Sequence, residues 1–314
     1  MKLFIPLLIF ICFTSDIAAQ NQNSIWMFGD SAGIDFSNIN NPSPIHSSVK
    51  SRGSCTSIAD PNGNLLFYSY TRASVPGPTT LVKNKEHNLM LNGDSIMGQG
   101  WYNEIIIVPA PFNNTLYYLF SISVTNSSYP GLYYSIIDMT QDSGRGAVIQ
   151  KNVQLENWEA SDCLIAVKHG NGRDWWLIAK RATYLQGTNL NEWYLYLVDT
   201  TGIHAQPLQV LGSSHSTNTS NLTFNSIINK ICFTNYFGLI EIYDFDRCTG
   251  LISNPINIQP EYGQVLRIWG TEFSLSGQYL YVSTNGDTVS YLYQYDLFAS
   301  NIAISRITID SFND

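Results

Sequence analysis

Apolar and aromatic residues gather in short runs along this chain, and five times a small polar turn separates two such runs, at intervals of about 50 residues. The turns are Asn62-Gly63 before Asn64-Leu-Leu-Phe-Tyr68, Asn113-Asn114 before Leu116-Tyr-Tyr-Leu-Phe120, Asn171-Gly172 before Trp175-Trp-Leu-Ile178, Asn229-Lys230 before Ile231-Cys-Phe-Thr234, and Ser276-Gly277 before Tyr279-Leu-Tyr-Val282. From the second unit onward an aromatic third run follows, ending in Asp138, Asp199, Asp244 and Asp296. β-Branched and aromatic runs punctuated by Asn, Gly and Ser read as strands and hairpins, not helices. The pattern predicts a β-propeller of about five four-stranded blades, beginning near residues 54, 104, 162, 221 and 270. Outer strands are expected at residues 147 to 153 and 302 to 309.

Residues 25 to 36 carry another aromatic run and read as an orphan third strand lacking its inner two. In a closed propeller such a strand completes the last blade. Here only Asp310-Ser-Phe-Asn-Asp314 follows the last expected strand, so the reading is an incomplete six- or seven-bladed ring. The orphan either stands as a partial extra blade beside the first or bridges to the region of residues 302 to 309.

Composition narrows the function classes. The 314 residues include 19 tyrosines, only 13% are charged, and the net charge is −8. An acidic chain without a Lys/Arg cluster does not suit a nucleic-acid backbone. Lys2, an apolar run to Phe13 and Ala18-Ala19 have the layout of a cleavable export signal over residues 1 to 19, leaving the propeller at 20 to 314. No other stretch approaches the roughly 20 apolar residues of a membrane-spanning helix. Cys55, Cys163, Cys232 and Cys248 remain after cleavage, an even number that invites disulfides. Register opposes one pair: Cys232 falls opposite Ile242, and Cys248 lies some 20 Å further along at about 3.3 Å per residue. Buried free thiols are the expectation.

Candidate chemistry is sparse. The densest polar cluster is His169, Asn171, Arg173 and Asp174. It offers a base and an anion or sugar clamp, but Asn-Gly is also the strongest hairpin signal, and the tryptophans that follow suit packing between sheets. Asp244 and Asp246 start like a calcium loop, yet Cys248 and Thr249 occupy the next ligand and glycine positions, so a solvated strand end paired with Arg247 is expected. The five histidines lack zinc spacing, no cofactor motif occurs, and no metal or cofactor is expected. Glu104, Glu156, Glu159 and Glu241 are the carboxylates from which a glycosidase pair would come, and their separation decides that.

Several longer motifs resemble one family. Trp26-Met-Phe-Gly-Asp30, Asp60-Pro-Asn-Gly-Asn-Leu-Leu-Phe-Tyr68, Ile106-Ile-Val-Pro-Ala-Pro111, Lys168-His-Gly-Asn-Gly-Arg-Asp-Trp-Trp176 and Tyr243-Asp-Phe-Asp-Arg-Cys-Thr-Gly250 resemble, in order, the N-terminal propeller of secreted Bacteroidetes proteins that end in a type IX secretion sorting domain, some linked to gliding. The resemblance implies a propeller and a secreted or cell-surface location, and no established chemistry. Where such relatives continue with another blade and a sorting domain this chain does not, which implies a periplasmic location if that export signal is absent. It also implies possible O-glycosylation of Asp-Ser/Thr segments at Ser31, Ser95, Thr200 and Thr288. The reading is a non-catalytic binding or structural module for an unidentified protein or glycan, with ligand contacts on the loops at residues 75 to 80, 127 to 130 and 213 to 221. The alternatives are a carbohydrate-active hydrolase or lyase, or a non-functional fragment of a longer surface protein.

Overall fold

A computed structural model describes residues 21–51, 53–72, 77–99, 103–123, 128–182, 190–215, 219–258 and 266–313. Residues 1 to 19, read above as an export signal, and parts of the three loops named above lie outside the described residues.

The described chain is all β, with two single-turn 3-10 segments, and forms six small antiparallel sheets in a ring, a six-bladed propeller. The first blade has three strands, β1 (Ile25–Phe28), β2 (Asp30–Asp35) and β3 (Ser43–Lys50). The second has β4 (Cys55–Ala59), β5 (Leu65–Thr71), β6 (Gly77–Asn84) and β7 (Ile96–Gly98). The third has β8 (Ile105–Pro109), β9 (Leu116–Ser123), β10 (Gly131–Asp138) and β11 (Ala147–Glu156). The fourth has β12 (Ala160–Lys168), β13 (Trp175–Arg181), β14 (Leu190–Asp199) and β15 (Gly202–Ala205), and β16 (Gln209–His215) also pairs with β14. The fifth has β17 (Ser220–Asn225), β18 (Lys230–Asn235), β19 (Ile240–Asp246) and β20 (Leu251–Asn257). The sixth has β21 (Ile268–Phe273), β22 (Tyr279–Thr284), β23 (Val289–Asp296) and β24 (Ile307–Asn313).

All five aromatic runs expected after a polar turn are second strands. A second strand is covered by a neighbouring blade on each face, so both sets of alternating side chains must be apolar or small. β9 is the clearest case, with every residue after Leu116 buried. Outer strands are covered less. β24 is exposed throughout, and it begins at Ile307 because residues 302–305 form a turn where a strand was expected from 302.

The N-terminal expectation is corrected in one respect. Residues 25–36 are not one orphan strand but the hairpin β1–β2, because the chain reverses at Gly29, where φ is +59°. β3 pairs with β2 to make a partial extra blade beside the next, one of the two arrangements foreseen. Five apolar cores fill the five seams between consecutive blades, for example Ile25 and Met27 against Ala59, Tyr68 and Tyr70, or Cys232 and Ile242 against Leu280 and Tyr295. Among the described residues no sixth core joins the last blade to the first, and Trp26 and Trp269, on those two blades, are 54% and 47% exposed.

All four described cysteines are free. Cys232 pairs in register with Ile242 as the hairpin argument required. Cys163 and Cys232 are buried, whereas Cys248 is exposed, because it sits in the turn after β19 and not on a strand.

Candidate functional site

The hairpins joining first to second strands share one end of the ring, and their polar residues serve first to close turns. Asp60 accepts the Asn62 and Asn64 amides at 2.8 and 2.9 Å, and Asn113 accepts the Thr115 amide at 2.9 Å. Side-chain oxygens that cap nearby N–H groups are ordinary turn chemistry.

His169, Asn171, Arg173 and Asp174 are brought together in the blade-four hairpin. The Asn171 amide donates to Asp174 at 2.6 Å, and its oxygen accepts the Arg173 and Asp174 N–H groups at 3.0 Å each. Arg173 forks onto Asp174 at 2.7 and 2.9 Å. That Arg173 contact, aided by Asn171, holds the Asp174 carboxyl below its ordinary range despite burial. Both His169 nitrogens are engaged: Nδ1 accepts the Asn171 N–H at 3.0 Å, which assigns the proton to Nε2, donating to the Cys248 carbonyl at 3.1 Å. Gly170 N–H and Trp176 Nε1 both donate to the Arg247 carbonyl, at 2.9 and 2.8 Å. The cluster thus clamps blade four to the blade-five turn at 247–248.

Gly250 closes that blade-five turn with φ +75°, and a Cβ there would lie 2.8 Å from the Trp176 ring, whereas Gly172, also at +75°, faces open space. Gly172→Ala is expected to lose about 1 kcal/mol and Gly250→Ala about 3 kcal/mol, the excess being the forced displacement of a packed indole. Urea unfolding of both variants checks this, and equal losses would mean that Trp176 yields freely.

The other singled-out carboxylates are held separately. Asp244 pairs across the sheet with Lys230, not Arg247, and accepts Asn254 at 2.7 Å; the Lys230 contact holds it low. Arg247 departs from expectation because it lies in the turn that supplies its carbonyl to blade four. Asp246 accepts the Cys248 N–H and Thr249 hydroxyl at 2.8 Å each. Glu156 accepts the Tyr196 hydroxyl at 2.6 Å; Glu241 is buried and binds the Ser213 N–H and hydroxyl and the Tyr243 hydroxyl. Glu159 directly precedes β12, and Glu104 is buried directly before β8. Ser95, Thr200 and Thr288 are exposed, and Ser31 is half-buried with φ +66°.

What the turn end does form is a concave bowl of about 630 Å³ between the hairpins of blades two, three and four. Phe112, Tyr117 and Trp175 give it aromatic surface, Gln22, Asn113 and Asn114 give amides, and Lys168 and Arg173 give positive charge. Among the described residues no carboxylate lines it. Lys168 Nζ sits 3.8 Å over the Trp175 ring and donates to the Arg173 carbonyl at 3.2 Å; burial pulls its pKa below the ordinary lysine value. Phe112 is 49% exposed and free to meet a ligand. Sequence reasoning found Arg173 but not this bowl, whose one legible sign was the exposed aromatic in the Pro111-Phe-Asn-Asn114 turn.

No family model and no curated protein matches the chain. Solved structures do. The chain is similar to two proteins proposed to be 6-phosphogluconolactonases, one from Bacteroides uniformis (TM-score 0.57, 13% identity, 93% of this chain and 81% of that one) and one from Bacteroides fragilis (TM-score 0.51, 13% identity, 93% and 80%). A protein from Lactobacillus plantarum is similar at TM-score 0.50 and 13% identity, over 92% and 80%. At these identities the likeness is one of fold. No helix among the described residues is long and apolar enough to cross a membrane.

Proposed function

We propose that this protein is an exported, non-catalytic propeller related to the secreted Bacteroidetes proteins it resembles, and that it binds a glycan in the bowl at the turn end of blades two to four. The lining of that bowl carries the reading: aromatic faces, side-chain amides and two cations converge there, and among the described residues its wall holds none of the carboxylates that glycoside cleavage needs. Aromatic faces stack on sugar rings, amides bond hydroxyls in either direction, and Lys168 and Arg173 favour a sugar that bears acidic groups. The export signal at residues 1 to 19 supports a periplasmic or surface location for such a module.

A glycan array probed with the purified protein tests the reading. Hits are expected among acidic or hydroxyl-rich polysaccharides, and Phe112→Ala should weaken the best hit roughly tenfold, as loss of an exposed aromatic anchor does, without moving the melting temperature. Undiminished binding by that variant would remove the bowl as the site. Release of shortened sugars from a bound glycan would make the protein an enzyme.

A further inference from the structure

The two cations of the bowl are not equivalent. Arg173 turns its Nε and Nη2 onto the carboxylate of Asp174 at 2.7 and 2.9 Å, and Asp174 is buried, so that charge is matched inside the hairpin. Lys168, half-buried, has no such match: among the described residues no carboxylate is ion-paired to it. Its Nζ meets the Arg173 carbonyl at 3.2 Å and lies 3.8 Å from the centre of the Trp175 ring. An ammonium carries three donors, so hydrogen-bonding capacity is left over. Burial pulls the pKa of this amine down, and the field of Asp174 opposes that shift without reversing it. A half-buried ammonium without a counter-ion is where an incoming anion gains most, because solvent screens it least and the Trp175 face already holds the side chain in place.

The surroundings restrict what that anion is. Asp60 directly precedes Pro61 of the bowl wall and acts on Tyr117, and Asp199 acts on Arg173. Each accepts N–H groups of its own turn and stays ionised. With a net charge of −8 over the chain, this acidic margin repels a densely sulfated or phosphorylated polymer and tolerates one isolated negative group. The neutral donors agree. Gln22 and Asn114 bring to the bowl side-chain amides that have no protein partner among the described residues, and these suit hydroxyls.

We propose, resting on the glycan reading above, that Lys168 is the acid-recognising residue of the bowl, that it binds a single sugar carboxylate, and that the ligand is a uronic-acid polysaccharide. In a uronate the carboxylate is attached directly to the sugar ring. A short run of such residues can therefore give a charge to Lys168 while a ring meets Phe112 and hydroxyls meet the amides of Gln22 and Asn114. Arg173, spent on Asp174, adds little to the discrimination.

The test measures binding of the purified protein to alginate, pectate and hyaluronan, each beside its carboxyl-reduced form, in which a hydroxymethyl group replaces the carboxylate and the linkages stay. At least one acidic polymer should bind, and its reduced form should bind roughly tenfold more weakly, the size of one charge-assisted hydrogen bond. Heparin, densely sulfated, should bind more weakly than that polymer. Lys168→Met should bring the acidic polymer down to the affinity of the reduced form and leave the reduced form unchanged, whereas Lys168→Arg should keep most of the preference. Lys85→Met, at the exposed turn after β6, makes the same change in net charge and should alter nothing. Equal binding of acidic and reduced polymers overturns the inference and leaves the glycan reading standing. A preference that survives in Lys168→Met, or tighter binding of heparin, overturns it too. Binding of none of these polymers also overturns it, while the glycan reading falls only if the wider array is silent as well. If Lys168→Met fails to fold, the wild-type comparison of each acidic polymer with its reduced form decides.

Discussion

Trp193→Ala is expected to lower the unfolding free energy by about 4 kcal/mol, at the upper end for core truncations. Trp193 is completely buried on β14, and its ring meets Tyr243 edge-on at 4.9 Å and Phe233 at 6.1 Å, both on blade five. Its Nε1 donates to the Leu211 carbonyl at 3.3 Å, and Lys180 Nζ lies 3.9 Å from the ring centre. Truncation thus opens a cavity in the seam between blades four and five, orphans a carbonyl and uncovers an ammonium group. Trp193→Phe, which keeps an aromatic face, should recover roughly half of the deficit, since aromatic packing and transfer contribute comparably. Urea unfolding measures both variants, and a loss under about 1.5 kcal/mol for the alanine variant would mean that the seam collapses around the gap.

The seams explain which parts of this molecule the sequence makes legible. Second strands such as Leu116–Ser123 declare themselves because burial on both faces removes polar residues from every position. β24, exposed throughout, carries no such constraint, so its start is displaced from expectation. The β1–β2 reversal hides because the Gly-Asp turn is flanked at once by Phe28 and Ala32, and reads as one continuous aromatic run. Turn chemistry at His169 to Asp174 is visible locally, but its second role as a clamp depends on Arg247 and Cys248, which approach only when blade five packs.

Lys180 makes the second large effect, and its sign is opposite. Its side chain is completely buried on β13, with Nζ 3.9 Å from the Trp193 ring centre and 4.4 Å from that of Phe233 and no hydrogen-bond acceptor among the described residues. Burial pulls its pKa down to about 8, against the partial opposition of Cys163 and Glu241. The two aromatic faces compensate the desolvated ammonium only in part. A lysine whose folded pKa lies below the unfolded value of about 10.4 contributes its full stability above that value and loses it as pH falls through the folded pKa. At pH 6.5 the charged amine therefore costs the fold about 3 kcal/mol, from the size of the shift at 1.36 kcal/mol per unit. Lys180→Met, of similar length and without a charge, is expected to be more stable than the wild type by about 2 to 3 kcal/mol at pH 6.5, with the advantage shrinking toward zero by about pH 10. Cys163, raised to about 11 by its own burial, weakens the fold as pH rises past the unfolded thiol value, a trend of opposite sign that is shared by both proteins and cancels in their difference. Urea unfolding of both proteins across pH 6 to 10 reads the difference directly. A constant difference over that range would show that the amine does not titrate in the fold, and a less stable methionine variant would show that the two rings hold the ammonium more strongly than its burial penalises it.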